Sequence, residues 1–205
     1  QNARLLEEVE RLFLSSIEAL AEAIDAKDPY THGHTQRVRD FTMSIGRRLI
    51  RDTETLRKLE LSALLHDIGK IGTRESVLNK EGRLSDEEFL HMKEHVIRGA
   101  QILQNIPNME EVIGGVKYHH EKYDGSGYPE KLKGAEIPIF GRIIAVADTF
   151  DAMTSDRPYR KGLEDEIALF EIKKFSGKHY DPRVVEAFIQ AYEAGEILSQ
   201  HKRAT

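Results

Sequence analysis

Nine histidines are spread through the 205 residues, and five of them, His34, His66, His95, His119 and His120, fall at or near the expected ends of helices, beside turns. Packing alone would scatter them. The strongest local signal is His66-Asp67-Ile68-Gly69-Lys70, where an imidazole and a carboxylate stand side by side and Lys70 follows Asp67 at helical spacing. Such a pair can bind one or two cations, and its plainer alternative is a capped helix end with a solvated carboxylate. His119-His120-Glu121 is the second signal, followed by the glycine-dense run Asp124-Gly125-Ser126-Gly127-Tyr128-Pro129. Neighbouring residues on an ideal helix point about 100° apart, so both rings reach one cluster only where the helix stops, or else they serve different ions. The plainer alternative here is a polar helix terminus. Asp148 is the third signal, a carboxylate beside the apolar residues Ile143, Ile144, Val146 and Ala147, where an acid needs a metal or an arginine such as Arg142 or Arg157. His91 and His95 are four residues apart and can chelate one ion together, and the helix face containing Leu90 and Ile97 leaves either arrangement open.

The chain has no cysteine, so any metal must be held by His, Asp, Glu or water. A net charge of -5 argues against a broad surface for duplex DNA or RNA and leaves room for a small basic pocket around one phosphorylated ligand. The longest apolar run, Ile143 to Ala147, is far short of the roughly 20 residues that span a bilayer. A cytoplasmic protein, without a membrane segment in this stretch, is the expectation. With 40% apolar and 32% charged residues the chain is expected to fold around one principal core.

The elements that must position these side chains read as helices throughout. Ala3 to Ala26 contains no Gly or Pro, and Leu5, Val9, Leu12, Ile17, Leu20 and Ile24 recur at three- to five-residue steps, which predicts one amphipathic helix. It is either a core-packing helix or a parallel coiled-coil connector. Asp28-Pro29-Tyr30-Thr31 breaks it, and helical spacing resumes from Gly33 to Leu49, with His34 in the first turn. A helix from Thr53 to about Ile68 carries His66 and Asp67 at its end. Ser85, with Glu88 three residues on, predicts a capping box opening a helix that carries both His91 and His95. Met109 to His119 and Phe140 to Met153 are further helices, and Asp181-Pro182 caps a last one through about Tyr192. No strand-like alternation is long enough for a sheet. The expected fold is an all-α bundle, with residues 1–26 as connector and 27–200 as the principal domain. The start at Gln1 is expected of a piece of a longer protein.

Taken jointly, Asp28-Pro29-Tyr30-Thr31-His32-Gly33-His34, His66 to Lys70, Lys93-Glu94-His95 with Gly99, His119 to Pro129, and Ala147-Asp148 through Asp156-Arg157-Pro158-Tyr159-Arg160 resemble, in order and spacing, the HD-GYP phosphodiesterases, which belong to the HD-domain phosphohydrolases. The resemblance covers roughly Asp28 to Pro182. It implies an HD-domain helical bundle that hydrolyses cyclic di-GMP in bacterial second-messenger signalling, with a hydroxide shared between two divalent cations as nucleophile. By the same resemblance His34, His66, Asp67 and Asp148 form one metal site, and Asp67 bridges to a second held by His95, His119 and His120. Iron or manganese is implied, with zinc and nickel as alternatives. Asp67 and Lys70 would be catalytic, Lys70 neutralising phosphate or the leaving oxygen. Asp28, Gly127, Tyr128, Asp151, Arg157 and Arg160 would face the nucleotide, the two arginines clamping phosphate. Some members carry Glu where this chain has Tyr30 and bind a third metal, so two metals and a product that stops largely at pGpG, with GMP the further step, are expected here. A homodimer through the first helix, an upstream sensor domain and diguanylate cyclase partners are further implications. The competing readings are a receptor that binds the nucleotide without turnover and an HD hydrolase for another phosphate.

Overall fold

In a computed structural model, residues 2–27, 33–156 and 161–199 are described, and they are all-helical. The helices are α1 (Asn2–Asp25), α2 (His34–Leu49) and α3 (Thr53–Leu65), then, after a 3-10 turn at Ile68–Gly72, α4 (Glu75–Leu78), α5 (Asp86–Lys93) and α6 (His95–Leu103). They continue with α7 (Glu110–Tyr118), α8 (Ile139–Thr154), α9 (Asp165–Lys174) and α10 (Pro182–Glu193). Among the described residues the nearest approach to a strand is a lone bridge between Ser176 and Tyr180.

Local chemistry explains where several helices begin. The Asp52 carboxylate accepts the Thr55 backbone N–H at the start of α3, and Asp181 does the same for Arg183 ahead of Pro182 in α10. Ser85 and Glu88 form the expected reciprocal capping box. Two features depart from the sequence expectation. The helix expected to carry both His91 and His95 stops at Lys93, and His95 opens a separate helix, so the two rings are not on one continuous face. The expected helix from Thr53 ends at Leu65, and His66 and Asp67 lie in the turn that follows. Helix α9 was not anticipated; its first residues are acidic and its apolar stripe, Ala168 and Ile172, is narrow.

Helices α2, α3, α7 and α8 pack together, with α10 against α2 and α8, and α6 between α7 and the 3-10 turn. Phe150 on α8 is the hub of the larger core, edge-on to Phe41 at 5.6 Å and to Phe188 at 5.1 Å between ring centres. A second apolar cluster joins Ile24 of α1 to Leu65, Ile68, Leu103, Val112 and Val116. The inner half of α1 therefore docks on the bundle, whereas Leu5, Val9 and Leu12 are 55%, 61% and 60% exposed. These two cores fix the helix ends from which the histidines project. Phe150→Ala is expected to destabilise the fold by about 3–5 kcal/mol, read by chemical denaturation, because the removed ring leaves a cavity shared by three helices.

Candidate metal centre

Four helix ends or turns and the interior of one helix deliver side chains to one place. His34 starts α2, His66 and Asp67 follow α3, His95 starts α6, His119 and His120 follow α7, and Asp148 comes from within α8. Ligand atoms of His34, His66 and Asp67 lie within 4.8 Å of one another, and so do those of His95, His119 and His120. Asp67 sits between the two groups: Oδ1 is 3.4 Å from His95 Nε2, and Oδ2 is 3.5 Å from His66 Nε2 and 4.0 Å from His34 Nε2. Asp148 Oδ1 is 3.5 Å from His34 Nε2. Lys70 Nζ reaches Asp67 Oδ2 at 2.8 Å.

The rings are oriented from behind. His66 Nδ1 lies 2.6 Å from the Ala63 carbonyl, His95 Nδ1 2.7 Å from that of Met92, and His119 Nδ1 2.8 Å from that of Val116. A carbonyl only accepts, so each ring carries a proton on Nδ1, and the neutral ring then presents a bare lone pair on Nε2. All three Nε2 atoms are buried without a hydrogen-bond partner in the protein. A buried unsatisfied nitrogen costs about 1–3 kcal/mol, so three together in one cluster fit a cation. Imidazole and carboxylate donors with no thiolate suit divalent iron, manganese, zinc or nickel.

Electrostatics point the same way. Burial, reinforced by the neighbouring rings, pushes His119 well below its ordinary pKa and His120 down to about 4. Burial likewise lowers His95. For Asp67 burial works against the charge, but Lys70 and the surrounding imidazoles prevail and hold the carboxyl well below the usual range. His34 differs: burial opposes its charge, yet the hydrogen bond to Asp151 and the nearby carboxylates raise its pKa.

Asp151, expected to face a nucleotide, does border the groove over the cluster, but its carboxylate is already taken up. It is 1% exposed, and both oxygens are engaged: Oδ2 lies 2.7 Å from His34 Nδ1, and Arg37 bonds Oδ1 through Nε at 2.6 Å and Oδ2 through Nη2 at 3.1 Å. Its place is behind the His34 ring. Gly127 is likewise spent on packing, since a Cβ there would collide with the backbone of Glu121 and Lys122. Tyr128 does line the groove over the cluster, stacked on His120 at 4.9 Å. The same groove is lined by Lys70 and Asp148 and by an apolar wall of Val77, Leu78, Leu84 and Met92 that the sequence pattern did not reveal. His91 takes the Arg74 backbone N–H and approaches Glu94, away from the cluster. Arg142 pairs with Asp181 at 2.5 Å and so is not the partner of Asp148. Asp28, Tyr30, Arg157 and Arg160 lie outside the described residues. Arg37 was missed; its only signal was a position three residues after His34 on the same helix.

An all-helical bundle whose helix ends gather histidines around a His-Asp pair defines a class. Residues 18–184 match the HD domain family, and the chain belongs to it, within the HD-GYP branch whose motifs it carries. A cyclic di-GMP phosphodiesterase of Thermotoga maritima is 43% identical over 198 residues, covering 96% of this chain and 53% of that protein. A 3′3′-cGAMP-specific phosphodiesterase 3 of Vibrio cholerae is 38% identical over 176 residues, covering 85% of this chain and 38% of the relative. The crystal structure of a cyclic GMP-AMP specific phosphodiesterase from V. cholerae superposes with a TM-score of 0.69 at 27% identity, over 92% of this chain and 51% of that one. The chain thus spans about half the length, or less, of the curated relatives it matches. HD domain phosphohydrolases are metal-dependent, and this chain holds two His/Asp groups able to bind cations.

Two measurements test the geometry. Asp151→Ala is expected to weaken Mn²⁺ binding by about 10- to 100-fold, read by isothermal titration, because the carboxylate behind a ligating imidazole sets its tautomer and aim. In metal-free protein, His95, His119 and His120 bind protons more readily unfolded, near the ordinary 6.5, than folded. Their contribution to stability therefore falls as pH drops through 6.5 toward 4, while that of His34, whose pKa is raised, is lost as pH rises. Scanning calorimetry of chelator-treated protein should show Tm decreasing over that acid window, and a level profile would contradict neutral buried rings.

Proposed function

We propose that this chain is a metal-dependent phosphodiesterase that hydrolyses cyclic di-GMP, chiefly to pGpG. The observation that carries the reading is Asp67, set between two groups of inward-facing imidazoles with Lys70 at its side and a groove over both. The names of the T. maritima and V. cholerae relatives support the substrate class, a cyclic dinucleotide.

In this reading His34, His66, Asp67 and Asp148 hold one divalent cation and Asp67, His95, His119 and His120 a second, with iron or manganese preferred over zinc and nickel. A bound pair supplies positive charge to the phosphodiester and lowers the pKa of water within its reach. The protein's own groups do the rest. Asp67, kept ionised by Lys70 and the imidazoles, stays a carboxylate across the working pH range. Lys70 lies at the groove beside Asp67, where its ammonium offsets the charge of a nonbridging phosphate oxygen or of the departing 3′ oxygen. Tyr128 backs the His120 ring and offers its other edge to the groove. Val77, Leu78, Leu84 and Met92 exclude water beside a nucleobase. Asp151 serves as the orienting group for His34. Arg157 and Arg160 keep the phosphate-clamping role, and Asp28 a nucleotide contact, on the strength of the motif alone. Residues 27–200 form the catalytic domain, and α1 is a connector whose exposed Leu5, Val9 and Leu12, spaced four and three apart, suit a parallel helix pair in a homodimer. An upstream sensor, diguanylate cyclase partners and a cytoplasmic setting belong to the same reading. No described helix is long and apolar enough to cross a membrane.

The test is to load the protein with Mn²⁺ or, without oxygen, Fe²⁺, and to incubate it with cyclic di-GMP and, in parallel, 3′3′-cGAMP, separating products by ion-exchange chromatography. Accumulation of pGpG is expected, with Lys70→Ala lowering kcat by about 10²–10³-fold while the metal is retained. Faster turnover of 3′3′-cGAMP would reassign the substrate toward that of the V. cholerae relative. Tight binding without product would make the protein a receptor, and hydrolysis of only nucleoside triphosphates would make it another kind of HD hydrolase.

A further inference from the structure

The end of α1 and the turn just beyond it grip two of the segments that carry the candidate centre, the start of α2 and the turn after Asp67. The Asp25 carboxylate accepts the Thr35 hydroxyl at 2.7 Å and the Thr35 backbone N–H at 3.2 Å. Thr35 follows His34 directly in the first turn of α2. Two residues beyond Asp25, Lys27 Nζ donates to the carbonyls of Ile71 at 2.8 Å, Thr73 at 3.0 Å and Lys70 at 3.4 Å. The carbonyl between them, that of Gly72, takes Arg98. Four successive carbonyls at the end of the 3-10 turn are thus all met by cationic side chains.

That turn is the one that follows Asp67 and contains Lys70. A 3-10 turn has poorly aligned internal hydrogen bonds and leaves its terminal carbonyls open, so its position depends on what caps it. Charge-assisted bonds from an ammonium are the stronger kind, and they match the partial negative charge of a helical C-terminus. On its other side the turn is pressed against α6, where a Cβ on Gly69 would strike the His95 carbonyl and the Gly99 amide. Beneath it, Ile68 packs in one cluster with Ile24 of α1. The turn is therefore seated between a fixed wall, α6, and the end of α1.

We propose that Asp25 and Lys27 are positioning residues through which the end of α1 sets the placement of His34 relative to the turn bearing Asp67 and Lys70. A rotation or shift of α1, whose outer half is unburied at Leu5, Val9 and Leu12, then changes the geometry of the centre without touching a ligand. The regulatory meaning rests on the phosphodiesterase reading, whereas the clamp itself is measurable through metal affinity.

The experiment compares wild type with Lys27→Met, Lys27→Arg and Asp25→Asn for Mn²⁺ affinity, kcat and KM on cyclic di-GMP, and Tm. Lys27→Met is expected to lower kcat by about ten- to a hundredfold, since a misplacement of about 1 Å carries that penalty, with KM little changed and Mn²⁺ binding weakened. Lys27→Arg should restore most of both, because a guanidinium reaches the same carbonyls. Asp25→Asn keeps an acceptor oxygen for Thr35 and should give a smaller loss, and it stands in should Lys27→Met fail to fold. A fall in Tm alone, with kcat, KM and Mn²⁺ affinity unchanged in Lys27→Met and Asp25→Asn, overturns the proposal. Absence of cyclic di-GMP turnover in wild type would sink the phosphodiesterase reading and leave the clamp to be decided by Mn²⁺ affinity.

Discussion

The structure depends on keeping imidazole nitrogens dry, neutral and unpaired around one buried carboxylate. His66, His95 and His119 each point a bare Nε2 into the cluster, and Asp67 lies among them with its charge intact. Left to itself such an arrangement is unfavourable, since both the lone pairs and the carboxylate have surrendered water. It persists because two apolar cores on either side hold the helices that carry it, and because Lys70 and the rings share the charge of Asp67. Burial here creates a demand for positive charge that the protein meets only in part.

Helix ends are the means by which that demand is placed accurately. His66 and His119 stand just past the ends of α3 and α7, and His95 just past the end of α5, each turned back so that Nδ1 donates to a carbonyl three residues earlier. Carbonyls near helix ends have lone pairs to spare, so the backbone that could not be satisfied within the helix becomes the support for the ring. His34, at the start of α2, has no such carbonyl behind it. Its support is a carboxylate, Asp151, itself fixed by Arg37. His34 has a raised pKa whereas His95 and His119, seated on carbonyls, have depressed ones, so of these three His34 holds a proton most readily.

In the proposed reading the His-Asp cluster meets the phosphate, and the apolar wall contributed by the segment around α4, Leu84 and the end of α5 gives the groove a side suited to a flat base. Relatives named for cyclic di-GMP and for 3′3′-cGAMP match this chain at 43% and 38% identity.

Local spacing singled out the His66-Asp67 pair, the His119-His120 pair and Asp148, and the resemblance of the joined motifs added His34 and His95, while helical periodicity, a local property of sequence, showed that the chain is helical. The caps at Ser85 and Asp181 were legible for the same reason. The stop at Lys93 was not: nothing in residues 91–95 forbids a helix, and the break appears only when His95 must face the cluster. Nor was the fate of Asp151, whose partners His34 and Arg37 lie 117 and 114 positions away in the chain. Whether a carboxylate meets substrate or steadies a ligand, and whether a glycine contacts a nucleotide or makes room for backbone, is decided by which distant groups fold against it, and that information exists only once the helices have packed.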